Sequence, residues 1–245
     1  MRRFIFDPAL RDGDTVVLSS EESLHISKVL RLRSGAEIEL LDGIGGVYRA
    51  LIVVVGSKVK VRLVECILRD EIPDTVVQVA QAMLKGKKME LVVQKCTELG
   101  AVRFMPFFSS RCQGKIDKIQ ENKRNARWGQ ISLEACKQSM RTWPMIFDQL
   151  VTFEEYITMG DTDPNSLRLL FWEEEKAVRL HQLPSLKDYN TITILLGPEG
   201  GITEDEIDMA RAKGWRTVSL GKQVLRAETA TLSALSIVQH LAGNM

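Results

Sequence analysis

No stretch of this chain approaches the roughly 18 consecutive apolar residues that a membrane-spanning helix needs, so helical membrane functions have no signal here. Cysteine is sparse as well. Cys66, Cys96, Cys112 and Cys136 never reach C-x-x-C spacing, and they read as free thiols of a reducing cytoplasm rather than a disulfide framework or a zinc ribbon. Three histidines scattered along the chain give no paired spacing for a metal. Aromatic residues make up only 6%, and Trp128, Trp143, Trp172 and Trp215 show no ladder spacing. They read as core or interface side chains, not base-stacking platforms. The opening MRRFIFDPAL reaches Asp7 and Pro8 after three apolar residues, too few for a signal peptide. No internal repeat or low-complexity segment is present.

What is present is the composition of an ordinary globular protein. The chain has 245 residues, 44% hydrophobic and 27% charged, enough for one large domain or two modest ones. The formal net charge of +1 hides an uneven distribution. Between Lys85 and Arg141 there are 13 Lys and Arg against 5 Asp and Glu; from Thr142 to Met245 there are 9 against 15. Such asymmetry fits either a surface for an anionic polymer or a set of solvated helix faces.

The first 70 residues read as mostly β. TVVLS, AEIELLD, VYRALIVVV and KVKVRLVE are short β-branched runs separated by glycine turns, and two of them alternate with period two. One helix, SSEESLHISKVLRLRSG, interrupts them, with Ser19 and Glu22 as a capping box and Leu24, Val29 and Leu30 as its apolar face. A small barrel carrying one helix is expected, with His25 packed rather than catalytic. RDEIPD (Arg69 to Asp74) reads as a linker, after which the pattern becomes α/β. TVVQVAQAM is a near-continuous apolar run of the kind buried on both faces of a parallel sheet. VRFMPFF, LRLLFWE, TITILLG and WRTVSLG are the further strands. KGKKMELVVQKCTELG, KIQENKRNARWGQISLEACKQSMR (one or two helices), TEDEIDMARAKG and ETATLSALSIVQHLAG alternate with them as helices.

Two loops at strand ends are chemically loaded. In LLGPEGGITEDEI, Thr203 and Glu206 form a Thr-x-x-Glu capping box, so a helix starts near Glu204 with three acids in its first turn. A phosphate would meet those acids and Glu199. Gly197, Gly200 and Gly201 also lack G-x-G-x-x-G spacing, and no Gly-Lys-Ser/Thr follows. What is left is a tight turn exposing backbone amides at the carboxyl edge of a sheet, either empty or holding a ligand without phosphate. The second loop, SLGKQVLRAETA, carries Arg226 and Glu228 before Thr229, which is expected to cap the last helix. Arg226 and Glu228 suit a partly cationic ligand and equally suit a surface ion pair.

Together these two loops resemble the signature of the 16S ribosomal RNA uridine-N3 methyltransferases, the RsmE type within the SPOUT superfamily. HISKVLR (His25 to Arg31), KMELVVQKCTELG (Lys88 to Gly100), SSRC (Ser109 to Cys112) and EACKQSMR (Glu134 to Arg141) extend the resemblance over nearly the whole chain. It implies a PUA-like β-barrel for RNA binding over residues 1–70 and a SPOUT α/β methyltransferase domain with a deep trefoil knot over 75–245. It also implies S-adenosylmethionine as methyl donor, a cytoplasmic homodimer with active sites at the interface, and 16S rRNA, free or within the 30S subunit, as substrate, without membrane or metal. The cofactor is then expected against Leu196, Gly197, Pro198, Glu199, Gly200 and Gly201, against Leu220 and Gly221, and against Leu225, Arg226, Ala227, Thr229 and Ala230. In that frame Arg226 orients or stabilises the uracil, and Glu228 or Glu199 assists deprotonation or fixes the loop. Lys85, Lys87, Lys88, Arg111, Lys115, Lys137 and Arg141 become candidates for phosphate contacts, joined by Arg2, Arg3, Lys28, Arg31 and Arg33 of the barrel.

Three other readings stay open at this level. A non-enzymatic RNA binder needs only the barrel and the basic face. A nucleotide-dependent oxidoreductase needs a glycine spacing that the sequence lacks. A tRNA methyltransferase of the same superfamily would share the cofactor loops.

Overall fold

The computed structural model describes residues 2–113, 118–159, 163–183 and 185–245. They form two compact units, Met1–Ile72 with Cys136–Pro144, and Pro73–Ala135 with Met145–Met245. No helix of the described residues is long and apolar enough to cross a membrane.

The first unit contains β1 (Arg3–Ile5), β2 (Arg11–Asp12), β3 (Thr15–Val17), α1 (Ser20–Leu24), β4 (Glu37–Leu41), β5 (Gly46–Val54) and β6 (Lys60–Arg69). The strand order is β1-β4-β5-β6-β3-β2; β1 runs parallel to β4 and the other pairs are antiparallel. Period-two patterning does what it should: Ile38 and Leu40 of β4 and Val61 and Leu63 of β6 point into one core with Phe4, Ala50 and Ile26. Three register shifts along the β5–β6 ladder bend these long strands and raise their twist, which curls the sheet around that core. The edge strands β1 and β2 are not paired with each other, so the expected barrel is realised as an open, curled mixed sheet.

The helix of this unit departs from its expected face. Ser19 caps α1 by accepting from Glu22 N, but the expected capping box is only half formed, because the Glu22 carboxylate accepts from Ile5 N at 3.2 Å instead. At His25–Val29 the backbone widens into a π turn. Leu24 and Val29, expected inside, are 58% and 67% exposed, while Ile26 is buried. His25 packs edge-on against Phe4 with ring centroids 5.8 Å apart. Lys137 pairs with Glu22 at 2.9 Å, both side chains only 10% exposed, and Arg3 pairs with Glu39 at 2.6 Å.

The second unit runs β7 (Val76–Ala82), α2 (Lys88–Glu98), β8 (Arg103–Phe108), α3 (Lys118–Ser139), β9 (Ile146–Phe147), β10 (Val151–Thr152), α4 (Phe153–Thr158), β11 (Ser166–Phe171), β12 (Thr191–Leu196), α5 (Glu204–Ala212), β13 (Arg216–Val218) and α6 (Ala227–Ala242). The last four residues of α3 belong to the first unit. All strand pairs are parallel, in the order β10-β8-β7-β12-β11-β13, with β9 beside β8. The sheet carries helices on both sides. On one face Val77, Val79, Ile192 and Ile194 pack against α2, α6 and Trp128 of α3. On the other, Ala80, Ala82, Leu170 and Leu195 pack against α4, α5 and Trp215. The basic segment after β8 forms one helix, where the sequence allowed one or two.

Candidate functional site

Because every strand of the second sheet runs the same way, the loops after β11, β12 and β13 emerge on one edge. They enclose a cavity of about 430 Å³. Phe171, Leu196, Leu220, Leu225, Ala227 and Ala230 give it apolar walls, and Gly197, Gly201 and Gly221 present backbone there. Trp172, Glu173, Lys88, Glu199 and Arg226 supply its polar and aromatic border.

Glycine is required at two of these positions. Gly201 has φ +73°, and a Cβ there would stand 2.2 Å from Oε1 of Glu173. Gly221 has φ +133° with nothing within 4 Å of where a Cβ would point, so the loop opens toward free space.

Polar side chains, most of them buried, hold the loops in place. Gln81 of β7, fully buried, donates through Nε2 to the carbonyls of Ala82 (3.1 Å) and Gly197 (3.2 Å) and accepts from Thr231 of α6 (2.5 Å). Arg111, in the loop after β8, donates to the Gly200 carbonyl at 2.8 Å. Glu206 has two tasks: Oε2 completes the capping box with Thr203, and Oε1 accepts from Ser110 N at 2.8 Å. Glu175 accepts from Ala177 N (2.8 Å) and Thr217 Oγ1 (2.6 Å) and pairs with Arg211 at 3.2 Å. Its burial disfavours the charge, yet these donors outweigh that and hold the carboxyl below the ordinary 4.5.

Electrostatically the border centres on Lys88. Its Nζ lies 3.1 Å from Glu199 Oε1 and 3.6 Å from Glu228 Oε2. Glu199 also accepts from Lys85 N at 3.2 Å. Desolvation pushes the Glu199 carboxyl up, but its own backbone N–H, Lys88 and the Lys85 amide together bring it below 4.5. The hydrogen bond from Lys88 to Glu199 in turn raises the lysine above 10.5. Glu228 Oε2 is sealed from solvent without a hydrogen-bond partner among the described residues, leaving the nearby lysine as its counter-charge. Arg226 is exposed, and its guanidinium makes no hydrogen bond or ion pair among the described residues.

Of the residues expected to hold a cofactor, Leu196, Gly197, Pro198, Glu199, Gly201, Leu220, Gly221, Leu225, Arg226, Ala227 and Ala230 line this cavity. Gly200 and Thr229 do not. The Cβ direction of Gly200 faces Arg111, and Thr229 lies inside α6, whose N-cap is Arg226 instead of the expected Thr229. Phe171, Trp172 and Glu173 line the cavity from the end of β11, a contribution with no local motif in the sequence. Trp172, expected in a core or interface, is half-buried here under the guanidinium of Arg211 at 5.4 Å. Lys88, expected on an RNA surface, joins this site. Among the other basic candidates, Arg2, Lys28, Arg31, Arg33, Lys85 and Lys87 are exposed, Arg141 is half-buried, and Lys115 lies outside the described residues.

Comparison with known proteins gives a consistent family assignment. Residues 70–239 match the RNA methyltransferase domain model and residues 18–66 the RNA methyltransferase PUA domain model. A Synechocystis protein called ribosomal RNA small subunit methyltransferase E is 36% identical over 93% of this chain and 73% of its own length. The protein of that name from Rickettsia conorii is 30% identical over 99% of this chain and 96% of its own. Among solved structures, ribosomal RNA small subunit methyltransferase E of Neisseria gonorrhoeae, bound to S-adenosylmethionine, superposes with a TM-score of 0.88 at 30% identity and 98% coverage of both chains. A Legionella pneumophila structure described as a methyltransferase in complex with S-adenosylmethionine gives 0.87 at 30% identity, covering 97% of this chain and 96% of that one.

Proposed function

The chain belongs to the RNA methyltransferase family that includes the ribosomal RNA small subunit methyltransferases E, and from that premise we propose that it methylates N3 of a uridine in 16S rRNA, with S-adenosylmethionine as donor. The observation that carries this reading is the cavity at the ends of β11, β12 and β13.

That cavity suits the donor. About 430 Å³ falls within the range of small-molecule sites, roughly 300–1,000 Å³. Its apolar walls suit a purine, and its glycine backbone offers amides and carbonyls to the purine edge. The acids at the border, Glu173 and Glu199, would repel a phosphate but suit a sulfonium cation, which S-adenosylmethionine carries without any phosphate. When bound, S-adenosylmethionine supplies an electrophilic methyl group. Leu196, Gly197, Gly201, Leu220, Gly221, Leu225, Ala227 and Ala230 would hold it.

The chain's own residues then have separable tasks. Uridine N3 carries a proton and becomes nucleophilic only as that proton leaves, so a cation beside the neighbouring oxygens lowers the barrier. Arg226, exposed on the cavity border and unpaired among the described residues, takes this role. Glu199 and Glu228 are both committed to Lys88, and Glu199, held below 4.5, is a weak base. They fix the loops around Lys88, and the N3 proton leaves to solvent at the exposed cavity border. Exposed Arg2, Lys28, Arg31 and Arg33 of a PUA-like domain over 1–70, with Lys85 and Lys87 of the methyltransferase domain over 75–245, bind RNA phosphates.

The reading includes a cytoplasmic homodimer that closes the cavity border, where Val224 is 81% exposed. It also includes a trefoil knot. A knot is a topology that chains ordinarily avoid; what supports it here is that after β13 is laid beside β11 at one edge, α6 returns to pack on β7, β12 and α2. Nucleoside mass spectrometry of rRNA from cells with and without the gene tests the proposal. Loss of one N3-methyluridine from 16S rRNA is expected; an unchanged modification map contradicts it.

A further inference from the structure

A second cavity of about 630 Å³ lies in the same unit, away from the loops described above. Its floor is a row of polar side chains across four neighbouring strands. Arg103 of β8 stands beside Gln78 of β7, Gln78 beside Thr193 of β12, and Thr193 beside Arg168 of β11. A parallel sheet covered on both faces should be apolar there. Two residues further along each strand, the same face is indeed apolar, with Met105, Ala80, Leu195 and Leu170 packed under α4 and α5. Those helices have only 6 and 9 residues, about 9 and 13 Å at 1.5 Å per residue. A six-residue strand spans about 20 Å, so the amino-terminal half of this face stays open.

The row is built as a site would be. Thr193 is only 5% exposed, yet its hydroxyl has no hydrogen-bond partner among the described residues, and neither has the amide of Gln78. Both line the cavity. Trp215 and Tyr156 form its wall, and the indole Nε1 of the buried Trp215 lacks an acceptor among the described residues. Arg103 is neutralised by Asp148 at 2.8 Å. Arg168 has no ion pair among the described residues; its guanidinium lies over the Trp215 ring at 5.9 Å. Among the described residues no other charged side chain lines the cavity, which leaves one positive charge over there. Thr193 precedes Leu196 by three residues, about 10 Å along β12, so the two cavities sit at different heights of the same sheet.

We propose that this groove is a second ligand site, and that it takes a phosphorylated nucleoside. A planar guanidinium matches a phosphate with two parallel hydrogen bonds. The unpartnered Gln78 amide and Thr193 hydroxyl can read the edge of a base, and Tyr156 and Trp215 give its apolar faces a wall. A cavity of this size accommodates one nucleotide. A free mononucleotide and a single-stranded RNA segment share this chemistry.

Calorimetric titration of the full-length protein with uridine 5′-monophosphate, and separately with a short single-stranded uridine oligonucleotide, tests the assignment. The wild type is expected to bind the monophosphate, and saturating S-adenosylmethionine should not displace it. Arg168→Gln and Thr193→Val should each weaken it, by about tenfold for the charged contact, with melting temperatures near wild type. Tighter binding of the oligonucleotide identifies an RNA strand as the ligand, and equal binding identifies a free nucleotide. No binding to the wild type, or wild-type affinity in both variants, overturns the site. Should Arg168→Gln fail to fold, Thr193→Val, which keeps the buried shape, decides alone.

Discussion

Lys88 stands between two carboxylates, and that arrangement decides what Glu199 does. A glutamate inside a glycine-rich loop is puzzling while the loop is taken for a phosphate cradle. Here it receives the Lys85 amide and the Lys88 ammonium, tying the loop after β12 to the start of α2. Since the fold holds Glu199 below 4.5, its contribution is present above that value and is lost as pH falls through the lowered folded value. Calorimetry with S-adenosylmethionine should therefore show affinity falling in acid for the wild type. In Glu199→Gln the affinity should already be lower at neutral pH and flatter across the acid range. If Glu199 were the general base, the same variant would instead lose turnover with its affinity intact. Arg226 belongs to the opposite class. Arg226→Ala is expected to keep cofactor affinity within about twofold, because surface charge removal changes little on its own. Its methyl transfer should fall by about 100-fold or more, as when one preorganised electrostatic contact is removed. Unimpaired methylation in single-turnover assays would remove Arg226 from the mechanism.

At the scale of elements, the cavity exists because strand ends and helix starts are braced by buried polar groups. Gln81 joins β7, the Gly197 carbonyl and α6 through three hydrogen bonds with no exposure to solvent. Leaving such partners unsatisfied costs about 1–3 kcal/mol each. Gln81→Ala should thus lower stability by about 2–4 kcal/mol, also counting the void, and weaken cofactor binding. Thr231→Val should cost less, and the double variant should show coupling in a thermal-unfolding cycle. A smaller cost is expected for Thr203→Ala, about 1 kcal/mol, from loss of the cap of α5. Elements of this kind were readable unequally. The Thr203–Glu206 capping box, glycine turns and period-two strands announce themselves within a few residues, so α5, β4 and β6 stand where the pattern puts them. Thr229 as a cap and Leu24 and Val29 as an inner face failed for a physical reason. A π turn rotates the face of the first helix, and α6 begins two residues before the threonine.

At the scale of the molecule, the loops 196–201 and 220–230 were legible because tight turns demand glycine and proline and helix starts demand caps. Phe171, Trp172 and Glu173, at and just after the end of β11, and Gln81, which holds the Gly197 carbonyl from inside β7, were not, since no local motif marks them. The order of strands was also invisible: β13 lies beside β11, and β12 lies beside β7, across long sequence separations set by packing alone. The same holds for the polar row Arg103–Gln78–Thr193–Arg168, four residues unremarkable in their own segments that only strand pairing brings together. Charge asymmetry between the middle and the end of the chain finds its counterpart in function. On the proposed reading the basic residues serve an anionic substrate, while Glu199 on the cavity border suits a donor that carries no phosphate.

The central claim, transfer of a methyl group to uridine N3, is tested most directly with purified protein. Incubation with 16S rRNA and methyl-labelled S-adenosylmethionine, followed by digestion and nucleoside mass spectrometry, reads out the position of the new methyl group. The account predicts label in N3-methyluridine at a single site, abolished in Arg226→Ala. Label on a ribose hydroxyl, on another base atom, or on no nucleoside at all would contradict it.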